Sequence, residues 1–225
     1  MLVCMLVCML VCIAAISLLK QLQFSKRTDF SFKVDVINYE KFNFTPPLIF
    51  AVQCGSADVL AALIEHGVSV WQADEFDNTA LHWAARLGSV KCVKIFTNNH
   101  IFLEINNIDF RTPLMEAACH GQIDVVKYLI TNTNARLFSD IEANPSALCL
   151  AIMNNHTDVA NFLILQSDCQ GIPQEELSKA FIYACRNGND DLFYALIEHG
   201  VDVNFKFNEV TPLIAAVRSG DIELV

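Results

Sequence analysis

The sequence predicts an all-α solenoid in which two-helix units stack side by side along one axis. Two observations predict it: glycines recur at a regular interval, and a similar string of ten residues ends at each of them. The recurring glycines, separated by 33, 33, 67 and 32 residues, are Gly55, Gly88, Gly121, Gly188 and Gly220. Because 67 is close to two periods, Asn155 is predicted to replace a missing glycine. A period near 33 residues is typical of stacked repeats, which usually serve recognition.

Each string has the features of a short first helix. Four of the six begin with Thr or Ser, which can cap the free N–H groups at the start of a helix. Proline often follows at the first turn, where a helix tolerates it. A leucine and small residues then form a narrow apolar stripe. Ser146-Ala and Lys179-Ala replace Thr-Pro in the fourth and fifth strings, which we place at 146–155 and 179–188.

A second helix is predicted after each string. The segment 58–68 has a counterpart at 191–201, and both contain the run Ala-Leu-Ile-Glu-His-Gly-Val. Gly67 and Gly200 lie where a left-handed residue commonly ends a helix. One unit is therefore a helix, a tight turn and an antiparallel second helix.

These units resemble ankyrin repeats. The family pattern of Thr-Pro-Leu-His, two alanines and a later Gly-Ala-Asp-Val-Asn is matched most closely by Thr79-Ala-Leu-His82 and Gly200-Val-Asp-Val-Asn204. Thr112-Pro-Leu114 and Thr211-Pro-Leu213 also match, and the resemblance runs from about Val34 to the C-terminus. It implies a helical solenoid whose units are joined by β-hairpin turns, and it implies that His82 hydrogen-bonds between neighbouring units.

We predict two regions, a hydrophobic N-terminal segment at 1–29 and a repeat domain at 30–225. Alternating apolar residues at 28–44 indicate a strand of a projecting hairpin. The last unit stops within its second helix, so we expect a fragment or a chain that continues. The predicted units lie at about 41–74, 75–107, 108–140, 141–173, 174–206 and, incomplete, 207–225.

The N-terminal segment has three interpretations. Residues 1–19 contain a single polar residue, Ser17, and as a helix would span about 28 Å, close to the hydrocarbon thickness of a bilayer. A membrane anchor would leave the repeats in the cytosol, because the basic residues follow the apolar run. A secretory signal lacks its basic start. The perfect Met-Leu-Val-Cys repeat also fits an unselected extension, part of which could pack as a degenerate helix.

Composition narrows the function classes. The formal net charge of −10 argues against nucleic acid as a partner, since phosphates require a basic surface. Nine cysteines without a Cys-x-x-Cys pair indicate reduced thiols packed as small apolar groups, and hence a reducing compartment. No phosphate-binding glycine loop or metal-ligand pattern occurs, and the adjacent Cys119 and His120 are interpreted as a chance pair. We expect no catalytic residue, cofactor or metal.

The resemblance implies protein binding through the concave face of the first helices and through the hairpin tips. Residues implied to face the concave side are Gln53, Cys54, Arg86, Leu87, Cys119, His120, Met153, Asn154, Arg186, Asn187, Arg218 and Ser219. Residues implied to lie at the tips are Glu75, Phe76, Asn78, Ile108, Asp109, Arg111, Phe207, Asn208 and Val210.

Three features of these surfaces suggest the chemistry of a partner. Arg86, Arg186 and Arg218 share one position in their units, which predicts either a basic strip for an acidic or phosphorylated segment or ordinary polar filler. Acidic pairs at 74–75 and 175–176 indicate solvated turns or a surface for a basic partner. Aromatics in the outer turns are either partner anchors or packing between hairpins, and they are Phe42, Phe44, Trp71, Phe76, Phe110, Phe205 and Phe207.

We therefore expect a cytoplasmic, monomeric, non-enzymatic scaffold or adaptor that binds a protein partner through its groove and tips. Two alternatives remain open. The repeats could be the cytosolic recognition arm of a protein anchored to a membrane by residues 1–19, or the region that recruits substrates to a catalytic domain beyond residue 225.

Overall fold

The structure is a computed structural model that describes residues 45–99, 103–137, 145–170 and 173–220, without the side chains of 167–170. Three predictions lie outside the described residues: the N-terminal segment 1–29, the strand within 28–44, and the truncated helix after residue 220.

Within the described residues the chain forms eleven helices that alternate between two rows. The first helices are α1 (Pro47–Gln53), α3 (Ala80–Arg86), α5 (Pro113–Cys119), α7 (Ala147–Met153), α9 (Gln174–Asn187) and α11 (Pro212–Ser219). The second helices are α2 (Ala57–Glu65), α4 (Val90–Asn98), α6 (Ile123–Asn132), α8 (Thr157–Gln170) and α10 (Asp190–Glu198). Each first helix packs on the next first helix and each second helix on the next second helix, so the predicted solenoid is confirmed.

The first helices begin where the sequence places their caps. The Thr112 hydroxyl accepts a hydrogen bond from the backbone N–H of Met115, and the Ser146 hydroxyl accepts one from Cys149. Thr211 does the same for Ile214. Each bond satisfies an N–H group that has no partner inside the helix.

The tight turns after the first helices confirm the substitution predicted from the glycine spacing. Gly88 and Gly121 have left-handed backbones with φ of 72° and 69°, and Asn155 adopts φ of 60° at the equivalent place. Asparagine is among the few residues that enter this region at low cost. Asn155 therefore replaces glycine at the tight turn of the fourth unit.

The fifth unit departs from the predicted pattern at Lys179. Helix α9 begins at Gln174, directly after Pro173, so Lys179 lies within the helix and does not cap it. Its ammonium group lies 2.9 Å from the carboxylates of both Glu175 and Glu176, one turn earlier. The two acids therefore stand in the first turn of a helix, where the helix dipole favours them, and not in a solvated loop.

The core lies between the rows. Small residues from the first helices, such as Ala84 and Ala117, are fully buried and let neighbouring helices approach closely. Larger side chains from the second helices, such as Phe96 and Leu129, fill the remaining space. Burying each repeat's apolar face requires its neighbours, which explains why the units are stable only as a stack.

Three cysteines belong to this core. Cys92, Cys149 and Cys185 are buried and form no disulfide. Burial raises the pKa of Cys149 to about 12 and that of Cys185 to about 11, so both thiols stay protonated at neutral pH. They pack as small apolar groups, as the sequence predicts.

The connections between units are turns closed by isolated bridges. Ala73 pairs with Thr79, and Phe207 pairs with Val210. Within the described residues these pairings do not extend into strands. No helix in that part of the chain is long and apolar enough to cross a bilayer.

Candidate interaction surface

The tips of the second and third units are held by side chains that accept hydrogen bonds from backbone N–H groups. One carboxylate oxygen of Asp74 accepts from Phe76 and Asn78, both at 2.9 Å. The other accepts from the indole N–H of Trp83 at 2.9 Å, which ties the tip to α3. The third unit repeats the arrangement with Asn107, whose side-chain oxygen accepts from Asp109 and Arg111.

The two tips are also bonded to each other. The N–H of Ile108 donates to the carbonyl oxygen of Phe76 at 3.0 Å, and the Asn107 amide donates to the side-chain oxygen of Asn78 at 2.9 Å. Asn78 is therefore only 2% exposed, and the prediction that it faces a partner is wrong. It lies behind the tips and aligns them, because its amide also donates to Asp74.

In front of this scaffold three large apolar side chains face solvent. Phe76, Ile108 and Phe110 are 55%, 56% and 54% exposed, and we call them the tip patch. Phe110 has a left-handed backbone with φ of 56°. That conformation costs a residue with a side chain about 1–2 kcal/mol relative to the ordinary regions. Phe110 thus carries an exposed aromatic ring on a backbone conformation that glycine would adopt without strain.

Acidic side chains flank the tip patch. Glu75, Asp77 and Asp109 are exposed, and their carboxylates form no ion pair within the described residues. Arg111, the basic residue of these tips, directs its guanidinium toward the end of α5, where Nη1 lies 3.5 Å from the sulfur of Cys119. The predicted tip residues Glu75, Phe76, Ile108 and Asp109 thus lie together at the surface.

A buried carboxylate behind the tips escaped the sequence analysis. The Glu116 side chain is 0% exposed, although it lies in the apolar stripe of α5. Arg86 of the preceding unit reaches Oε2 through Nη2 at 3.0 Å and Nε at 3.1 Å. The Asn107 amide donates to Oε1 at 3.0 Å, and the guanidinium of Arg111 lies 3.7 Å away. The one available signal was a glutamate among apolar neighbours.

This cluster changes the interpretation of Arg86. Its guanidinium is paired with Glu116 and also lies 5.0 Å from the ring centroid of Trp83. For Arg86 the structure favours a structural polar role over a basic strip, because its guanidinium already pairs with a buried carboxylate. Arg186 and Arg218 are exposed at the far end of the row.

The C-terminal ends of the first helices form a second exposed surface, which we call the first-helix face. Leu87 and Met153 are half-exposed there, and the side chain of His120 is also accessible. Asn187 is exposed, and its amide donates to the carbonyl of Ile152 and to the side chain of Asn155 in the preceding unit. Arg86, Trp83 and Asp74 connect this face to the tips through direct contacts.

The sixth tip differs from the second and third. Phe207 is half-buried against the core, and the ammonium group of Lys179 lies 5.3 Å from its ring centroid. Phe205 also packs on the core. Asn208 is exposed with a left-handed φ of 47°. The outer aromatics therefore divide: Trp71, Phe76 and Phe110 face solvent, whereas Phe205 and Phe207 pack, and Phe42 and Phe44 lie outside the described residues.

His82 has the structural role that the resemblance implies. Its Nδ1 accepts from the backbone N–H of Thr79 at 3.2 Å. Its Nε2 donates to the carbonyl oxygen of Ile105, in the connection after α4, at 3.1 Å and to that of Arg111 in the next unit at 3.0 Å. Burial lowers the pKa of His82, and the nearby Glu116 and the two carbonyls offset part of that effect. The neutral ring is therefore the form that joins the units.

The adjacent Cys119 and His120 do not form a nucleophile and base. His120 Nδ1 donates to the Glu116 carbonyl oxygen of its own helix at 3.0 Å. Burial raises the pKa of Cys119, which disfavours the reactive thiolate. Among the described residues, no group of His, Cys, Asp or Glu is arranged to hold a metal ion.

Comparisons with known proteins agree with this architecture. A family model described as "Ankyrin repeats (3 copies)" matches residues 9–109, 98–174 and 148–225. The crystal structure of the ankyrin repeat domain of Bcl-3 superposes with a TM-score of 0.71 at 24% identity, covering 95% of this chain and 92% of that one.

Two relatives show the same similarity in sequence. The ankyrin repeat and KH domain-containing protein mask-1 of Caenorhabditis elegans is 29% identical over 80% of this chain, and the B-cell lymphoma 3 protein homolog of Mus musculus is 27% identical over 76%. The chain spans only 7% of the first and 39% of the second. Together, the repeat spacing, the stacked helix pairs and the family match show that this chain belongs to the ankyrin-repeat family.

Proposed function

We propose that this chain is a protein-interaction scaffold or adaptor that holds a partner on the tips and the first-helix face. Ankyrin repeats are generally protein-interaction modules, which gives the class of function. The observation that carries the proposal is the tip patch, three adjacent large apolar side chains that the fold exposes on bonded turns. Exposed apolar groups clustered in this way mark interaction sites more often than scattered ones do.

The first-helix face supports the same proposal. Leu87 and Met153 are large apolar side chains exposed at the ends of α3 and α7, although smaller or polar residues would suit solvent better. Contacts from Arg86 to Trp83 and from Trp83 to Asp74 connect this face, at the end of α3, to the tip of the second unit. A partner could therefore contact both surfaces at once.

The test is a capture experiment with matched surface variants. The full chain is immobilised, and proteins retained from a lysate of its source cells are identified by mass spectrometry. One variant carries Leu87→Ser and Met153→Ser on the first-helix face, and a second carries Phe76→Ser and Ile108→Ser at the tips. The control carries Leu165→Ser and Tyr194→Ser, which alter exposed apolar residues of the second-helix row.

Proteins that bind as proposed are retained by the wild type and by the control but lost from the face or tip variant. Circular dichroism confirms that every variant is folded. If no protein is retained, or if the control loses retention as much as the other variants, the proposal is wrong.

A second candidate is that the repeats recruit partners for a larger protein. It is supported by the relatives, because the matched segment is only 7% of the C. elegans protein and hence a small part of it. Sequencing full-length transcripts would reveal an adjoining domain, and alkaline washing of membranes would test anchoring by residues 1–19. A transcript that ends at residue 225, together with a fully soluble chain, would reject this candidate.

A further inference from the structure

We propose that the tip patch docks a segment of a partner protein in which apolar side chains are flanked by Lys or Arg. This inference rests on the proposed function and specifies the partner's chemistry at one part of the surface. The tip patch consists of Phe76, Ile108 and Phe110, each more than half exposed.

The apolar part of the inference comes from the placement of these side chains. Phe76 and Ile108 are neighbours, because the N–H of Ile108 donates to the carbonyl oxygen of Phe76. Phe110 lies two residues after Ile108, with φ of 56°, a backbone region that a bulky residue seldom adopts. Its ring gains little from packing within the chain, because it faces solvent. Exposed aromatics of this kind serve as anchors in protein interfaces.

The backbone beneath the patch is already in place. Asp74 and Asn107 each accept two hydrogen bonds from backbone N–H groups of their own tip. The Asn107 amide also donates a hydrogen bond to Asn78, which joins the two tips. A surface that needs no ordering on association loses less entropy when it binds. The tip patch therefore presents its three side chains in a defined arrangement before any partner arrives.

The charge of the partner follows from the surrounding carboxylates. Glu75, Asp77 and Asp109 are exposed beside the patch and form no ion pair within the described residues. The guanidinium of Arg111 lies against Cys119 and Glu116 and does not neutralise them. An acidic segment would meet like charges here, whereas Lys or Arg on either side of an apolar anchor would meet opposite charges. The net charge of −10 adds long-range attraction for a basic segment.

The probe is a phage-displayed library of short random peptides selected on the immobilised full chain. Enriched peptides are synthesised with a fluorescent label, and their affinity is measured by anisotropy at low and high salt. One variant is Phe110→Gly, which removes the ring while relieving the backbone, so it is expected to stay folded. A second variant neutralises the acids with Glu75→Gln, Asp77→Asn and Asp109→Asn. The control is Leu165→Ser in α8.

We expect the enriched peptides to combine Leu, Phe or Trp with Lys or Arg. Phe110→Gly should weaken their binding by about tenfold or more. The neutralised variant should weaken binding several-fold and reduce its dependence on salt, while the control leaves both unchanged. If Phe110→Gly fails to fold, Ile108→Ser takes its place, since that side chain is also exposed.

The inference is overturned if no peptide is enriched, if the enriched peptides are acidic, or if the tip variants bind them as well as the wild type does. Peptides that lose binding only with Leu87→Ser and Met153→Ser would overturn the tip inference and leave the proposed function standing. Failure of the proposed function itself appears separately, as the absence of any specifically retained protein in the capture experiment.

Discussion

The guanidinium of Arg86 lies 3.0 Å from the carboxylate of Glu116, thirty residues further along the chain and in the next repeat. The carboxylate is fully buried and also accepts a hydrogen bond from the amide of Asn107. A buried charge is tolerated only when it is paired and hydrogen-bonded. The pair thus joins the second and third units by a polar contact, beside the apolar contacts that stack them.

Removing the carboxylate should destabilise the stack. Glu116→Ala leaves the Arg86 guanidinium and one of the two N–H groups of the Asn107 amide without their acceptor, and we expect the free energy of unfolding to fall by about 2 kcal/mol. Urea denaturation followed by circular dichroism measures the change. Glu75→Ala is the control, because that carboxylate is exposed and should contribute little. Equal effects from the two substitutions would contradict the assignment of Glu116 as a structural centre.

Stability should fall as the pH drops below the ordinary pKa of histidine. Burial lowers the pKa of His82 from 6.5, so the unfolded chain takes up a proton at a higher pH than the folded protein does. The contribution of His82 is therefore fully present above pH 6.5 and declines from there down to the folded pKa.

The measurement compares thermal unfolding of the wild type with that of His82→Gln at several pH values. Glutamine does not titrate, so the part of the decline that belongs to His82 should disappear in the variant. Every other titratable group is the same in the two proteins, so its effect cancels in the comparison. Parallel curves for the two proteins would show that His82 does not carry this dependence.

The turn at Gly88 should be less tolerant of alanine than the turn at Gly55. Both have left-handed backbones, with φ of 72° and 68°, so both substitutions cost about 1 kcal/mol in strain. A Cβ at Gly88 would lie 2.2 Å from Oε1 of Gln122, whereas nothing lies within 4 Å of a Cβ at Gly55. The Gln122 amide also donates to the Arg86 carbonyl across the unit boundary.

We therefore expect Gly88→Ala to cost about 1 kcal/mol more than Gly55→Ala, because Gln122 must move and lose that hydrogen bond. Urea denaturation of the two variants gives the difference. Gln122→Ala removes the side chain that the new methyl group would displace. In that background, Gly88→Ala should lower the free energy of unfolding only by the backbone strain. An equal cost for the two glycines would mean that Gln122 adapts without leaving its acceptor.

Phe110→Gly should not weaken the fold and could strengthen it by up to about 1 kcal/mol, since glycine accepts φ of 56° without strain. Phe110→Ala is the matched control: it also removes the ring but keeps a Cβ in the left-handed region. The glycine variant should therefore unfold at a higher temperature than the alanine variant. The reverse order would indicate that the ring, and not the backbone, decides stability at this position.

Much of the fold was predictable because its signals are local and repeated. The cap residues Thr112, Ser146 and Thr211 act on N–H groups three residues away. Asn155 takes a left-handed turn because of its place in the period. The start of α9 was missed because Pro173 and the ion pairs of Lys179 extend the helix backwards, where the repeat pattern predicted a cap.

The candidate site was predictable only in part. The sequence placed Phe76, Ile108 and Asp109 on the tips, and the structure shows them exposed. It could not distinguish Asn78, which is buried two residues from Phe76, because burial depends on the neighbouring unit that covers it. It also treated Arg86 as equivalent to Arg186 and Arg218, since position in a repeat carries no information about the partner of a charge.

By itself the sequence determined that short helices alternate with tight turns, how often they do so, and that their apolar stripes must be buried by neighbours, because these properties depend on residues a few positions apart. Only the tertiary structure decided which charges are paired and which apolar side chains remain exposed. Those outcomes depend on contacts between units about thirty residues apart, and their geometry is set when the units stack.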